Sequence, residues 1–120
     1  MQKEIAEIFV AKLVVKVKSL QLGPGLNSAT TQGPLVNEAA VKKVLTHIDD
    51  ATSKGAKIES GGSAPDLPGF FFTPTVLSGV TQDMLVSNDE TFGPLAPVFE
   101  FKTEDEAVSL ANQTEFGLAG

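Results

Sequence analysis

A helix that passes through a glycine into a short strand is the arrangement that most limits how this chain folds. Residues 38–54 repeat apolar side chains at helical spacing, at Val41, Val44, Leu45, Ile48 and Ala51. Asn37 stands at the N-cap position, and Gly55 can close the helix in the left-handed conformation. Residues 56–60 then alternate apolar and polar side chains, as a strand does. This order indicates an α/β layer, so the predicted fold class is α/β.

A first helix is predicted over residues 2–20. Its expected apolar stripe is Ile5, Ile8, Phe9, Leu13, Val17 and Leu20, widened by Val10 and Val14. Four further elements are predicted: a strand at 70–77, a helical turn at 81–85, a strand at 97–101 and a helix beginning at Thr103. Because Pro74 has no amide hydrogen, the strand at 70–77 should be an edge strand or be interrupted there. Glu106 completes a capping box with Thr103, and an apolar run resumes at 116–120.

Charge and composition exclude several classes of function. The net charge is −6 at pH 7 and the basic residues are all lysines, which argues against nucleic acid or an anionic membrane as a partner. No apolar run approaches the roughly 18 residues that a membrane-spanning helix needs. The sequence has no cysteine, so it forms no disulfide and has no thiol nucleophile, and with one histidine a metal site is not expected.

Local patterns indicate little further chemistry. The Gly61-Gly62 loop lacks the glycine-rich motifs that bind phosphates or dinucleotides, so it is predicted to be a flexible connection. His47 falls on the polar side of its helix and is predicted to be solvated, as is the acidic pair Asp49-Asp50. No catalytic residue is predicted from these patterns.

The acidic run ending at Glu90 has two interpretations. It can be an acidic turn on the surface. It can also serve a sugar, because a carboxylate accepts hydrogen bonds from both hydroxyls of a ribose. Phe92 places an aromatic face two residues away, and Gly93-Pro94 supplies a rigid turn beside both.

The run Glu90-Thr91-Phe92-Gly93-Pro94 resembles the Glu-x-Phe-Gly-Pro signature of the aldehyde dehydrogenase family. Further segments resemble that family in the same order: Thr30-Thr31-Gln32-Gly33-Pro34-Leu35, Lys54-Gly55-Ala56-Lys57, Gly61-Gly62, Phe72-Thr73-Pro74-Thr75-Val76 and Glu115-Phe116-Gly117-Leu118-Ala119. Within the family, residues 32–38 and 90–98 are most similar to succinate-semialdehyde dehydrogenases.

The resemblance implies a fold, a reaction and a context. Residues 1–120 would be a fragment of a single α/β catalytic domain, with helices packed on a small, mainly parallel sheet. The cofactor-binding domain and the nucleophile segment would lie elsewhere in a parent enzyme. That parent would use NAD or NADP to oxidise an aldehyde, with succinate semialdehyde as the expected substrate, to its carboxylic acid through a cysteine thiolate. It would be a homo-oligomer of the cytoplasm or the mitochondrial matrix.

Three cofactor-binding residues are implied by the resemblance. Glu90 matches the residue that accepts the hydroxyls of the nicotinamide ribose, and Phe92 matches the aromatic that packs near this ribose. Lys43 matches a lysine that some members place near the same sugar, although it is equally a candidate for a solvated lysine beside Lys42.

Two classes of function follow for the chain by itself. As a fragment it would be inactive, would bind no cofactor tightly and would self-associate through exposed apolar surface. Alternatively it is a non-catalytic binding or assembly module that reuses the fold. The genomic reading frame around this segment distinguishes the two alternatives. A cysteine motif shortly upstream favours the fragment, whereas a true start at Met1 and a true stop after Gly120 favour the module.

Overall fold

The computed structural model describes residues 1–113. Its helices are α1 (Lys3–Lys18), α2 (Glu38–Ser53), α3 (Leu85–Asn88) and α4 (Glu104–Ala111), and its strands are β1 (Lys57–Ser60), β2 (Thr75–Val80) and β3 (Leu95–Phe99). The predicted α/β class is confirmed. The predicted apolar run at 116–120 and the family-like segment at 115–119 lie outside the described residues. In the described part of the chain, no helix is long and apolar enough to cross a membrane.

The three strands form one mixed sheet in the order β1-β2-β3. β1 pairs antiparallel with β2, with Ile58 opposite Leu77, and β2 pairs parallel with β3, with Val76 opposite Ala96. The expectation of a mainly parallel sheet was therefore wrong. β1 and β2 are joined by a loop without a crossover helix, which favours antiparallel pairing. Between β2 and β3 the chain passes through α3, which allows the parallel arrangement.

The strand predicted at 70–77 is interrupted at Pro74, which confirms one of the two predicted alternatives, whereas the edge position was wrong because β2 is the central strand. The strand begins at Thr75, directly after Pro74, and the proline therefore disturbs no ladder. Residues 70–74, predicted as strand, are irregular, yet Phe72 is fully buried. The Thr75 hydroxyl replaces part of the missing backbone pairing, since it accepts from the Gly62 amide at 2.8 Å and donates to the Thr73 carbonyl at 2.8 Å.

α2 covers one face of the sheet and organises the main core. The buried cluster comprises Val44, Ile48, Ala51, Ala56, Phe72, Leu77, Val80 and Met84. Both predicted ends of the helix are confirmed. The Asn37 side chain accepts from the Ala40 amide at 2.9 Å, and Gly55 has a φ of +102°. Local sequence signals therefore place α2 correctly over the sheet.

α1 packs against β1 and β2, and in its first half the contacting face differs from the predicted one. Its buried residue is Ala6, whereas Ile5 is 50% exposed and Ile8 is 61% exposed. Successive helical residues differ by about 100° in direction, so the contacting face is displaced by one residue from the predicted stripe. The small side chain of Ala6 faces this sheet and Ile5, Ile8 and Phe9 are exposed, whereas Val10, Leu13, Val14 and Val17 are half-buried.

The turn before α3 depends on an acidic residue of α2. The Asp50 carboxylate accepts a hydrogen bond from the Leu85 amide at 2.7 Å and forms an ion pair with the Lys54 ammonium at 2.8 Å. The prediction that Asp50 is solvated was therefore wrong, because its carboxylate satisfies the first amide of α3. The helical turn expected at 81–85 begins at Leu85 instead.

The last two described elements agree with prediction in kind. The strand predicted at 97–101 is β3, which begins two residues earlier. α4 follows Thr103, whose hydroxyl accepts from the Glu106 amide at 3.2 Å. The Glu106 carboxylate accepts from the Lys102 amide at 2.7 Å, so the reciprocal bond of the capping box reaches one residue further back.

Candidate functional site

A groove of about 280 Å³ lies between the first half of α2 and the segment formed by residues 89–94. It is lined by Ala39, Ala40, Lys43 and Val44 of α2 and by Thr91 and Phe92 of the 89–94 segment. Its lining is mainly apolar, with the Phe92 ring on one side and the Lys43 side chain on the other. Such a surface suits a polar ring with an apolar face better than a fully charged group.

Two contacts fix the far end of the 89–94 segment. The Pro94 carbonyl accepts from the Thr75 amide at 2.8 Å, at the start of the central strand. Gly93 lies so close to α2 that an added Cβ would stand 2.5 Å from Val44 Cγ2. Real carbon contacts are about 3.5–4.0 Å, so only glycine allows the segment to approach the helix this closely.

The structure brings two of the three predicted cofactor residues together. Lys43 and Phe92 line the groove from opposite elements. Phe92 is 78% exposed, which is unusual for an aromatic side chain and leaves its face free to pack on a ligand. Glu90 is also exposed, but it does not line the groove. It stands one residue before Thr91, beside the groove.

His47 is the residue that the sequence interpretation misplaced. It is 2% exposed rather than solvated, and its Nδ1 lies 2.5 Å from the Thr91 hydroxyl. Its Nε2 lies 3.8 Å from an Asp89 carboxylate oxygen. Burial, and then the nearby Lys43 ammonium, lower the pKa of His47 below its ordinary value, while Asp89 and Asp50 oppose that shift.

No local signal could have revealed this contact. His47 and Thr91 are 44 positions apart, and the polar neighbours of His47 on α2 make a solvated position the natural expectation. The side chain is buried because the 89–94 segment folds over it. A buried histidine needs a hydrogen-bonding partner, and Thr91 supplies one.

The groove combines apolar side chains, an aromatic ring and a lysine, and such a lining can bind part of a ligand. Residues 1–113 contain no group of three or more histidine, aspartate or glutamate side chains that could hold a metal ion. The groove volume also lies near the lower limit of complete small-molecule pockets, roughly 300 Å³. It can therefore accommodate a sugar-sized part of a larger ligand.

Comparison with known proteins gives this geometry its context. The sequence profile described as "Aldehyde dehydrogenase family" matches residues 1–120. The chain belongs to the aldehyde dehydrogenase family. The Glu90–Pro94 run that resembles the family signature is thus the segment that closes the groove.

Two curated relatives and one crystal structure illustrate the match. The chain is 52% identical over 119 residues to succinate-semialdehyde dehydrogenase [NADP(+)] 2 of Schizosaccharomyces pombe, covering 98% of this chain and 24% of that protein. It is 53% identical over 118 residues to 3-sulfolactaldehyde dehydrogenase of Pseudomonas putida, with the same coverage. The crystal structure of succinate-semialdehyde dehydrogenase from Burkholderia pseudomallei superposes with a TM-score of 0.94 at 52% identity, covering 97% of this chain and 24% of that chain.

The extent of these matches limits what they convey. The chain spans about a quarter of the length of the curated relatives that it matches. Relatives named for two different aldehydes are similar to it at 52% and 53% identity. Identity over this part of the aldehyde dehydrogenase sequence therefore does not discriminate between those aldehydes.

Proposed function

We propose that this chain is part of the catalytic domain of an NAD(P)-dependent aldehyde dehydrogenase and forms the surface that steadies the nicotinamide ribose. The observation that carries the proposal is the groove lined by both Lys43 and Phe92, with Glu90 two residues before Phe92 in the segment that borders it. A solvated acidic turn would require neither an exposed aromatic ring nor a glycine packed against Val44.

Each of the three side chains has a distinct task in this proposal. The Glu90 carboxylate accepts hydrogen bonds from the two ribose hydroxyls. The face of Phe92 packs on the sugar and restricts its rotation. The Lys43 ammonium donates to an oxygen of the same sugar or its adjoining phosphate. When bound, NAD or NADP supplies the hydride acceptor for aldehyde oxidation.

The groove accounts for only part of dinucleotide recognition. A complete dinucleotide needs more surface than about 280 Å³ provides, and the sequence contains no cysteine to act as a nucleophile. The remaining contacts and the thiol would come from other segments of the parent enzyme. The 120-residue chain alone should therefore oxidise no aldehyde and bind NAD or NADP no tighter than about millimolar.

The substrate is inferred from chemistry that the relatives' names share. Succinate semialdehyde and 3-sulfolactaldehyde are both short aldehydes with an anionic group away from the carbonyl. We infer a substrate of this class, with succinate semialdehyde as the first candidate. Because this chain contains no arginine, the groups that recognise the anionic end would lie in other parts of the parent.

The test uses the full-length protein with NAD and NADP. Glu90→Gln should slow single-turnover formation of the reduced nicotinamide by about tenfold or more, with a smaller loss of cofactor affinity, because the lost contact mainly orients the reacting ring. Glu4→Gln, on the exposed surface of α1, is the matched control. An unchanged single-turnover rate in Glu90→Gln would remove Glu90 from the proposed role.

Two further outcomes bear on the wider proposal. Full-length protein that reduces neither cofactor with either aldehyde would contradict the assigned activity. Calorimetry that showed micromolar NAD affinity for the 120-residue chain alone would contradict its assignment as an incomplete site and would favour an autonomous binding module.

A further inference from the structure

His47 contacts both neighbours of Glu90. Its Nδ1 lies 2.5 Å from the hydroxyl of Thr91, and its Nε2 lies 3.8 Å from the carboxylate of Asp89. The ring therefore holds the backbone on each side of the glutamate while making no use of the glutamate itself. None of the roles assigned above to the groove explains why a histidine is buried at this point.

The burial of the ring makes the contact selective. His47 and Thr75 are the buried polar side chains in the described part of the chain. A buried polar ring without a partner would cost free energy, so the 89–94 segment is stabilised where Thr91 can reach it. The Glu90 side chain has no hydrogen bond among the described contacts, and its position therefore depends on its neighbours.

Burial favours the neutral form of the ring, and the charges around it act in both directions. Lys43, one turn earlier on α2, opposes a positive charge on the ring, whereas Asp50 on the same helix and Asp89 on the facing segment favour one. In the neutral ring with a proton on Nε2, that N–H points toward Asp89, and Nδ1 accepts a hydrogen bond from the Thr91 hydroxyl. This tautomer accepts the hydrogen bond from Thr91, whereas the Asp89 carboxylate, at 3.8 Å, lies beyond hydrogen-bond distance.

We propose that His47 is a positioning residue that fixes the Glu90–Phe92 run over the groove through its hydrogen bond with Thr91. The inference rests on the proposed function of Glu90 and Phe92 as ribose-binding residues. His47 itself touches no ligand in this arrangement. Its effect is to restrict where the carboxylate and the aromatic ring stand relative to α2.

The first experiment is kinetic and uses the full-length protein. Thr91→Val removes the hydroxyl with little change in shape, and Thr91→Ser retains it. Thr46→Val is the matched control, because Thr46 is exposed on α2 and its hydroxyl bonds only the Lys42 carbonyl of its own helix. Changing the half-buried Thr91 leaves the buried His47 side chain in place, whereas replacing His47 itself could prevent the protein from folding.

The expected result separates orientation from affinity. Thr91→Val should slow single-turnover hydride transfer by about tenfold, because misplacement of reacting groups by about 1 Å can cost up to a hundredfold in rate. The Kd for NAD or NADP should rise by less than about threefold. Thr91→Ser should restore the rate, and Thr46→Val should match the wild type. A wild-type rate in Thr91→Val, a serine variant as slow as the valine variant, or a change confined to Kd would overturn the proposal.

The second experiment does not depend on enzymatic activity. In nuclear magnetic resonance spectra of the 120-residue chain, the Thr91 amide should titrate with the same midpoint as the His47 ring, and Thr91→Val should shift the ring's midpoint. A Thr91 amide that is insensitive to the His47 titration would overturn the contact. If the Thr91 amide and the His47 ring titrate together but the full-length protein oxidises no aldehyde, the proposed function is contradicted and the contact between the two residues still stands.

Discussion

Gly93 offers the sharpest test of how the groove is built. A Cβ at this position would stand 2.5 Å from Val44 Cγ2, about 1 Å closer than carbon atoms pack in proteins. Val44 is 1% exposed and belongs to the main core, and its branched side chain has one preferred rotamer in a helix. Gly93→Ala must therefore displace either the helix side chain or the 89–94 segment.

The cost follows from overpacking. Forcing an extra methyl group into a filled site typically costs about 1–3 kcal/mol. For a chain of this length, 1 kcal/mol lowers the midpoint of thermal unfolding by about 4 °C, so Gly93→Ala should lower it by about 4–12 °C. The displaced segment should also move Phe92 away from the groove.

A double-mutant cycle tests the assigned cause. Val44→Ala alone should cost about 2 kcal/mol, from roughly 0.8 kcal/mol per methylene-sized group removed and the cavity left behind. Gly93→Ala combined with Val44→Ala should be no less stable than Val44→Ala alone, because the clash is absent. This is a coupling energy of about 1–3 kcal/mol.

The measurements are thermal and denaturant unfolding of the 120-residue chain. Gly33→Ala is the matched control, since no atom lies within 4 Å of a Cβ built there. It should leave stability unchanged or slightly raised. Additive effects of the two substitutions at Gly93 and Val44, or a Gly93→Ala variant as stable as the Gly33→Ala control, would refute the steric explanation.

Three further changes separate local from long-range contributions to stability. Asn37→Ala should lower the free energy of unfolding by about 1 kcal/mol because it removes the N-cap bond, and Asn37→Ser should recover most of that loss in the same denaturant titration. Thr75→Val should lower the free energy of unfolding by about 1–3 kcal/mol, because the Gly62 amide and the Thr73 carbonyl both lose a buried partner. Equal stability of the wild type and Thr75→Val would contradict this account. Burial lowers the pKa of His47 below 6.5, so the unfolded chain binds a proton at this residue more tightly than the folded chain does. The free energy of unfolding should therefore fall as the pH drops below about 6.5 toward the lowered pKa. Unfolding titrations across that pH range should show this loss in the wild type and not in His47→Gln.

The sequence was sufficient where a structural signal is local. Asn37 and Gly55 mark the ends of α2 because capping and the left-handed conformation depend on residues within one turn. The apolar spacing of α2 located its core face for the same reason. Thr103 likewise begins α4 as predicted.

Prediction failed where the outcome depends on what packs against an element. The stripe through Ile5 and Ile8 on α1 has a valid helical period, but the sheet contacts the face that carries Ala6. The pairing direction of β1 was not encoded in its own residues, because strand direction depends on the connection that follows. For the site, resemblance selected Lys43 and Phe92, which share the groove, whereas His47 required a contact across the fold.

The separation between His47 and Thr91 has a thermodynamic consequence. These residues are 44 positions apart, so the two sides of the groove are brought together by the tertiary fold and not by local structure. The groove therefore exists in the folded chain and is absent from the unfolded one. Any ligand that occupies it adds to stability, by about 2.7 kcal/mol when its concentration is a hundred times its Kd. Ligand binding in the groove and folding of the chain are therefore thermodynamically linked.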